Sequence, residues 1–208
     1  MKNPIDNALN QIIMYRLALY YVSALLAVAY CLGFLGLVPH DPTAIAFSAV
    51  FIMAVCWLTN RLFAGLFRVP VNTESIYITA LILALIMPPV VATDTLGVAG
   101  LALASAAAIA SKFLLAIGRK HLFNPVAIGV VASSFLLDQP ATWWIGGNSV
   151  LMPLVMVAGL LVVRKVQRFE MVGIYLLANV VTTLATTSPD MYGEALTQGV
   201  LYSPLLFA

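Results

Sequence analysis

The sequence is poor in charge. Only 9% of its 208 residues are Asp, Glu, Lys or Arg, whereas 62% are hydrophobic. A soluble domain of this size cannot bury so large a share of apolar side chains, so we expect an integral membrane protein. Its apolar runs lack the strict alternation of barrel strands, which predicts membrane helices. The net charge of only +2 argues against a nucleic-acid partner.

Cysteine and histidine are scarce as well. Cys31 and Cys56 lie in different apolar runs and at different expected depths, so we expect two free thiols packed as small apolar residues. Their spacing fits neither zinc nor an iron–sulfur cluster. His40 and His121 fall on opposite sides of the expected membrane and cannot form the facing pair that holds haem. No apolar run carries a central charged residue, so a proton or cation path through carboxylates is not expected.

Eight apolar runs follow one another, and the last is only half a span long. All ten Lys and Arg lie in alternate connections, whereas the opposite connections carry His, Asp and Glu. The positive-inside rule then places the N-terminus in the cytoplasm of a multi-pass protein of the cell inner (plasma) membrane. We expect an all-α polytopic fold with seven full transmembrane helices and a partial eighth. The predicted spans are residues 17–38, 43–60, 75–91, 96–116, 122–137, 149–163, 171–187 and 199–208.

Two regions follow from this division. Residues 1–16 form a short cytoplasmic N-terminal segment and residues 17–208 a transmembrane domain. No small-residue cleavage site follows the first apolar run, so the segment is not a cleaved signal peptide. The sequence stops at LYSPLLFA, within an apolar run. Either an eighth helix stops short, or the chain is the front part of a longer protein, and we favour the second.

Asn124 and Pro125 stand where the fifth run begins. Proline suits the first position of a helix, and asparagine suits the capping position before it. A plain helix start in a cytoplasmic loop explains both residues. Alternatively, the helix starts within the membrane and presents the positive end of its dipole to an anion or polar ligand.

The third run begins in a similar way. Asn72 and Thr73 are capping residues, Glu74 suits the first helical turn, and Met87-Pro88-Pro89 ends the run. Paired short segments indicate a site between structural repeats, although short spans also arise from tilt or mismatch. Glu74 is either a solvated cap carboxylate or a ligand-binding group.

Two further features carry alternative interpretations. Lys112 follows the small-residue stretch LALASAAAIAS, and its side chain either extends to the cytoplasmic surface or contacts a phosphate or flavin ring. Trp143 and Trp144 lie in an expected outer loop and are interpreted as membrane-interface residues.

The order of these segments resembles the RnfD/NqrB family, the membrane subunits of the Rnf and Na⁺-pumping NADH:quinone reductase complexes. The resemblance runs from Asn72 to the C-terminus. It is carried by VNTESIYITALILALIMPP, then SKFLLAIGRKHLFNPVAIG, the WWIGG loop, VVRKVQRFEMV and LYSPLLFA. The Glu-Ser and Phe-Asn-Pro elements are the more specific parts.

The resemblance implies two inverted halves with flavin bound between them, a scaffold that this chain would contain incompletely. The cofactor-binding residues that it implies are Glu74, Ser75, Lys112, Asn124 and Pro125. The family's Ser-Gly-Ala-Thr flavinylation motif is absent, so the implied flavin (FMN or riboflavin) is non-covalent. Ala116-Ile117-Gly118 replaces the paired glycines often seen before Asn-Pro.

The expected function is that of a membrane subunit or domain of an electron-transport oxidoreductase, active only within a complex. Its expected partners are the lipid bilayer, other membrane subunits, and a cytoplasmic flavoprotein or ferredoxin-reductase-like domain. The alternative is a small-solute or ion transporter or channel on a similar broken-helix scaffold without redox activity.

Overall fold

The computed structural model describes residues 14–70, 73–117, 120–146 and 148–186. These residues are mostly helical, with seven α-helices and one two-stranded antiparallel ribbon. The elements, in chain order, are α1 (Met14–Phe34), α2 (Pro42–Phe67), α3 (Thr73–Ile86), α4 (Thr95–Leu114), β1 (Ala116–Ile117), β2 (Lys120–His121), α5 (Pro125–Leu137), α6 (Met152–Val166) and α7 (Phe169–Thr186).

Each of the first seven apolar runs overlaps one of these helices, which confirms the helical class. Three helices, α1, α2 and α4, are long and apolar enough to cross a membrane. Helices α3 and α5 are apolar but have only 14 and 13 residues. The eighth predicted run lies outside the described residues.

Several limits of the predicted runs differ from the helix ends. The third run is predicted to extend to residue 91, whereas α3 ends at Ile86. Helix α2 continues seven residues beyond Asn60 to Phe67, so Arg61 lies in the helix and not in a loop. It ends where Arg68 adopts a left-handed conformation (φ 52°) and donates its backbone N–H to the Ala64 carbonyl. Helix α5 begins at Pro125 and not at Leu122, because Asn124 is extended and caps the helix.

The chain divides into two compact units. One is Ala18–Trp144; the other combines Met1–Leu17 with Ile145–Ala208. In the first unit, α2 packs against α3 and α4, and α4 packs against α5. In the second unit, α6 packs against α7.

Helix α3 is the most enclosed helix of the first unit. Eight of its 14 residues are buried, and seven of these lie between Thr79 and its C-terminal residue Ile86. A helix that is apolar on all sides is expected to be surrounded by protein or lipid, and here neighbouring helices supply much of that cover. At ~1.5 Å per residue α3 is about 21 Å long, which is shorter than a hydrocarbon core of ~30 Å.

The unit Ala18–Trp144 has an acidic end and a basic end. Asp41 and Asp94 cap the starts of α2 and α4, and Asp138 ends α5. Arg61 and Lys112 lie near the opposite ends of α2 and α4. This segregation follows from the alternating charge of the connections, because consecutive helices run in opposite directions.

Residues that follow α5 donate hydrogen bonds to the carbonyl groups at the C-terminal end of α3 and so close this end. Pro88 has no N–H, so it cannot donate to the Ala84 carbonyl four residues before it. The indole Nε1 of Trp144 donates to that carbonyl instead, at 3.1 Å. The backbone N–H groups of Thr142 and Trp143 both donate to the Ile86 carbonyl, at 3.0 and 2.9 Å.

These contacts correct the interpretation of Trp144 as a membrane-interface residue. Its side chain is buried, with 5% of its surface exposed. Its ring also meets His40 edge to face, with centroids 5.2 Å apart. Burial of the indole follows from the unpaired carbonyl that the proline leaves at the end of α3.

The two cysteines are free, as expected, but only Cys56 is buried; Cys31 is exposed on α1. Packing against other parts of the protein is therefore confirmed for Cys56, whereas no part of the described protein covers Cys31.

Candidate functional site

The centre of the candidate site is the ammonium group of Lys112 in the last turn of α4. It donates to the Ser75 backbone carbonyl at 2.8 Å, to the Ser75 hydroxyl at 3.0 Å and to the Thr79 hydroxyl at 2.7 Å. These three acceptors are uncharged and account for the three donors of the ammonium. The side chain therefore bends towards α3 and does not extend to the surface.

Ser75 and Thr79 meet the same ammonium because they are four residues apart on α3 and thus share one helix face. The Thr79 hydroxyl also donates to the Ser75 carbonyl at 2.9 Å. Thr79 is 6% exposed, so this arrangement lies inside the protein. The result is a positive charge fixed against the first two turns of α3.

Asn124 and Pro125 build the start of α5 as predicted. The Asn124 side-chain oxygen accepts from the Val126 N–H at 3.0 Å, and Pro125 occupies the first turn. The ribbon formed by β1 and β2 connects this start to the end of α4, and the Leu122 N–H donates to the Leu115 carbonyl at 3.1 Å. Asn124 itself is exposed.

Glu74 lies in the first turn of α3, next to Ser75, and is half-buried. A carboxylate in this turn is stabilised by the positive end of the helix dipole. Its neighbour Ser75 binds Lys112, so both residues of the Glu-Ser element belong to the same end of the unit.

Three helix ends converge at the basic end. The Lys112 bond to Ser75 brings the end of α4 to the start of α3, and the ribbon brings the start of α5 to the end of α4. The starts of α3 and α5 each contribute a positive dipole end, and Lys112 adds a full charge. This combination suits an anionic group such as a phosphate. No group of His, Cys, Asp and Glu that could hold a metal occurs among the described residues.

Thr79 was missed as a site residue. It stands in the quoted element ESIYIT, and its spacing from Ser75 is one helical turn. This spacing indicates that Thr79 and Ser75 share one helix face. A threonine in an apolar run usually bonds to its own helix, however, as Thr79 also does, so the spacing alone does not mark a site.

The chain matches no family model, and no curated protein and no solved structure is significantly similar to it. The resemblance to the RnfD/NqrB family thus depends on the motifs quoted above.

Proposed function

We propose that this chain is a membrane-embedded subunit or domain of an electron-transfer oxidoreductase complex of the Rnf/Nqr type. The observation that carries the proposal is the fixed Lys112 ammonium at the start of α3. Ser75 and Lys112 were both expected to serve a cofactor from the resemblance, and they are in direct contact. A contact between two motif residues that are 37 positions apart is not explained by local helix propensity.

A non-covalent flavin fits the charge of this end of the protein. The phosphate of FMN would be stabilised by Lys112 and by the positive ends of α3 and α5. Lys112 would act mainly through its charge, because its donors already bind Ser75 and Thr79. Riboflavin lacks the phosphate and gains nothing from this charge. When bound, a flavin supplies electron transfer between a donor and an acceptor.

The proposed orientation is multi-pass in the inner (plasma) membrane with the N-terminus in the cytoplasm. The separate basic and acidic ends of the unit Ala18–Trp144 favour this orientation under the positive-inside rule. All seven described helices would cross or enter the membrane, with α3 and α5 as the short, broken members. The basic cytoplasmic face would suit an acidic redox partner, such as a ferredoxin-reductase-like domain or another subunit.

The test is an absorbance and fluorescence spectrum of the detergent-purified chain, recorded before and after acid release. We expect flavin bands that leave with acid. Lys112→Met keeps the length of the side chain but removes its charge, and we expect it to raise the Kd for FMN about tenfold, the cost of one lost charge contact of roughly 1.4 kcal/mol. Arg164→Met removes a cation from α6 and serves as the matched control, with an unchanged Kd. A folded wild-type protein that stays colourless after incubation with FMN would refute the flavin proposal.

The alternative function is transport of a small solute or ion without redox activity. The observation that favours it is the pair of short apolar helices, because α3 and α5 have only 14 and 13 residues. Paired short or interrupted helices form the solute sites of many transporters. Solute flux into liposomes by a flavin-free protein would establish this alternative.

A further inference from the structure

A mainly apolar cleft lies apart from the Lys112 site, between α2 and the start of α3. It has a volume of about 210 Å³. Its walls are almost entirely apolar in surface, although polar residues stand among those that line it. The lining residues are Trp57, Asn60, Arg61, Ala64, Thr73 and Ile76.

The buried amide of Asn60 is the first feature that indicates a ligand. Asn60 is only 6% exposed, yet it lines the cleft. No hydrogen-bond partner for this amide occurs within residues 14–70 and the other described ranges. An acceptor that enters the cleft would gain a hydrogen bond from this largely shielded amide and would be stabilised there.

The charge of Arg61 is the second feature. Its guanidinium carbon lies 5.4 Å from the centroid of the Trp57 ring, a cation–π contact that fixes the side chain over the indole. No carboxylate pairs with it in the described part of the chain. The stacked guanidinium keeps donors for a phosphate, which arginine binds in a planar, two-pronged manner. Thr73 places the positive dipole end of α3 at the same cleft.

The apolar part of the cleft favours a lipid over a free anion as the bound molecule. Trp57, Ala64 and Ile76 form walls that a hydrated inorganic ion would not favour. On the neighbouring stripe of α2, Leu58 and Leu62 are 55% and 64% exposed. An acyl chain lying along these leucines would have its phosphate at the level of Arg61, near the basic end of the helix.

We propose that this cleft binds the phosphate of an anionic phospholipid, with Arg61 and Asn60 as donors and the apolar surface of α2 in contact with the acyl chain. The proposal is independent of the flavin site, because Lys112 does not line this cleft. It assigns to Arg61 a binding role, whereas the sequence alone indicates only its contribution to orientation.

The test is native mass spectrometry of the full chain released from detergent, titrated with phosphatidylglycerol and, separately, with phosphatidylcholine. We expect one phosphatidylglycerol to bind at least about tenfold more tightly than phosphatidylcholine, because the net charge of the headgroup distinguishes them. Arg61→Gln should abolish most of that preference, lowering it about fivefold or more. Asn60→Leu keeps the charge and a similar volume, and should weaken the binding of both lipids.

Arg68→Gln is the matched control, because Arg68 ends the same helix but does not line the cleft. It should leave the preference unchanged, and circular dichroism of each variant checks that it is folded. Equal binding of both lipids, or equal effects of Arg61→Gln and Arg68→Gln, would overturn the proposal. Displacement of phosphatidylglycerol by millimolar inorganic phosphate would overturn the lipid as the occupant and show a free-anion site.

Discussion

The bond from Trp144 to the Ala84 carbonyl gives a sharp test of how α3 ends. Trp144→Phe keeps an aromatic ring against His40 but removes the only N–H of the side chain. The Ala84 carbonyl then has neither its helical donor, because position 88 is proline, nor the indole. We expect the protein to unfold at a lower temperature than the wild type.

The expected loss follows from two contributions. A buried carbonyl left without a donor costs about 1–3 kcal/mol. The smaller ring adds roughly 1 kcal/mol for the space it leaves in a buried position. The free energy of unfolding should therefore fall by about 2–4 kcal/mol in all.

The assay is reversible unfolding in mixed detergent micelles, followed by circular dichroism. Trp57→Phe makes the same chemical change at a side chain that is 45% exposed, and it should cost less than about 0.5 kcal/mol. A double variant adds specificity: Pro88→Ala restores an N–H at position 88, so Trp144→Phe should cost less in that background. Equal, small losses for Trp144→Phe and Trp57→Phe would refute the reasoning and restore the membrane-interface interpretation of Trp144.

Two further predictions concern helix packing and pH. Gly129→Ala should destabilise the protein by about 1–3 kcal/mol, because the new Cβ would meet the Ala104 carbonyl oxygen and lie 3.0 Å from the Ala108 Cβ. The control is Gly65→Ala in α2, where the new Cβ has open space, and it should be neutral or stabilising by up to about 1 kcal/mol. Equal changes in the free energy of chemical unfolding for the two variants would contradict the close α4–α5 contact. Burial lowers the pKa of His40 below its ordinary value of 6.5, so the unfolded chain binds the proton more readily than the folded protein. Stability should therefore fall as pH drops through about 6.5 and level off below the folded pKa; an unchanged pH slope in the unfolding of His40→Gln would contradict this.

Much of the local structure is predictable from the sequence. The apolar run begins at Leu122, but the pair Asn124-Pro125 marks the actual start of α5, because a proline and a capping amide act on their own backbone. Met87-Pro88-Pro89 likewise specified where α3 ends. The end of α2 was not predictable from polarity, because Asn60 and Arg61 remain helical and line a cleft.

The candidate site shows where sequence reasoning stops. Taken singly, Lys112 and Glu74 each have a plain role at the surface, and Ser75 is indicated only by the family resemblance. Neither helical periodicity nor charge specifies which way a lysine side chain turns at the end of a helix. Thr79 acquires its second role only because α4 packs so that Lys112 reaches it.

By itself, the sequence determined the helical class, the order of the helices, and the separation of basic from acidic connections. These properties follow from hydrophobicity, proline and charge, which act over a few neighbouring residues. Only the tertiary structure decided that Trp144 closes α3 and that Lys112 is fixed against Ser75. The first contact joins residues 60 positions apart and the second joins residues 37 positions apart. Such pairs form because helix packing brings them together and because buried polar groups need hydrogen-bond partners.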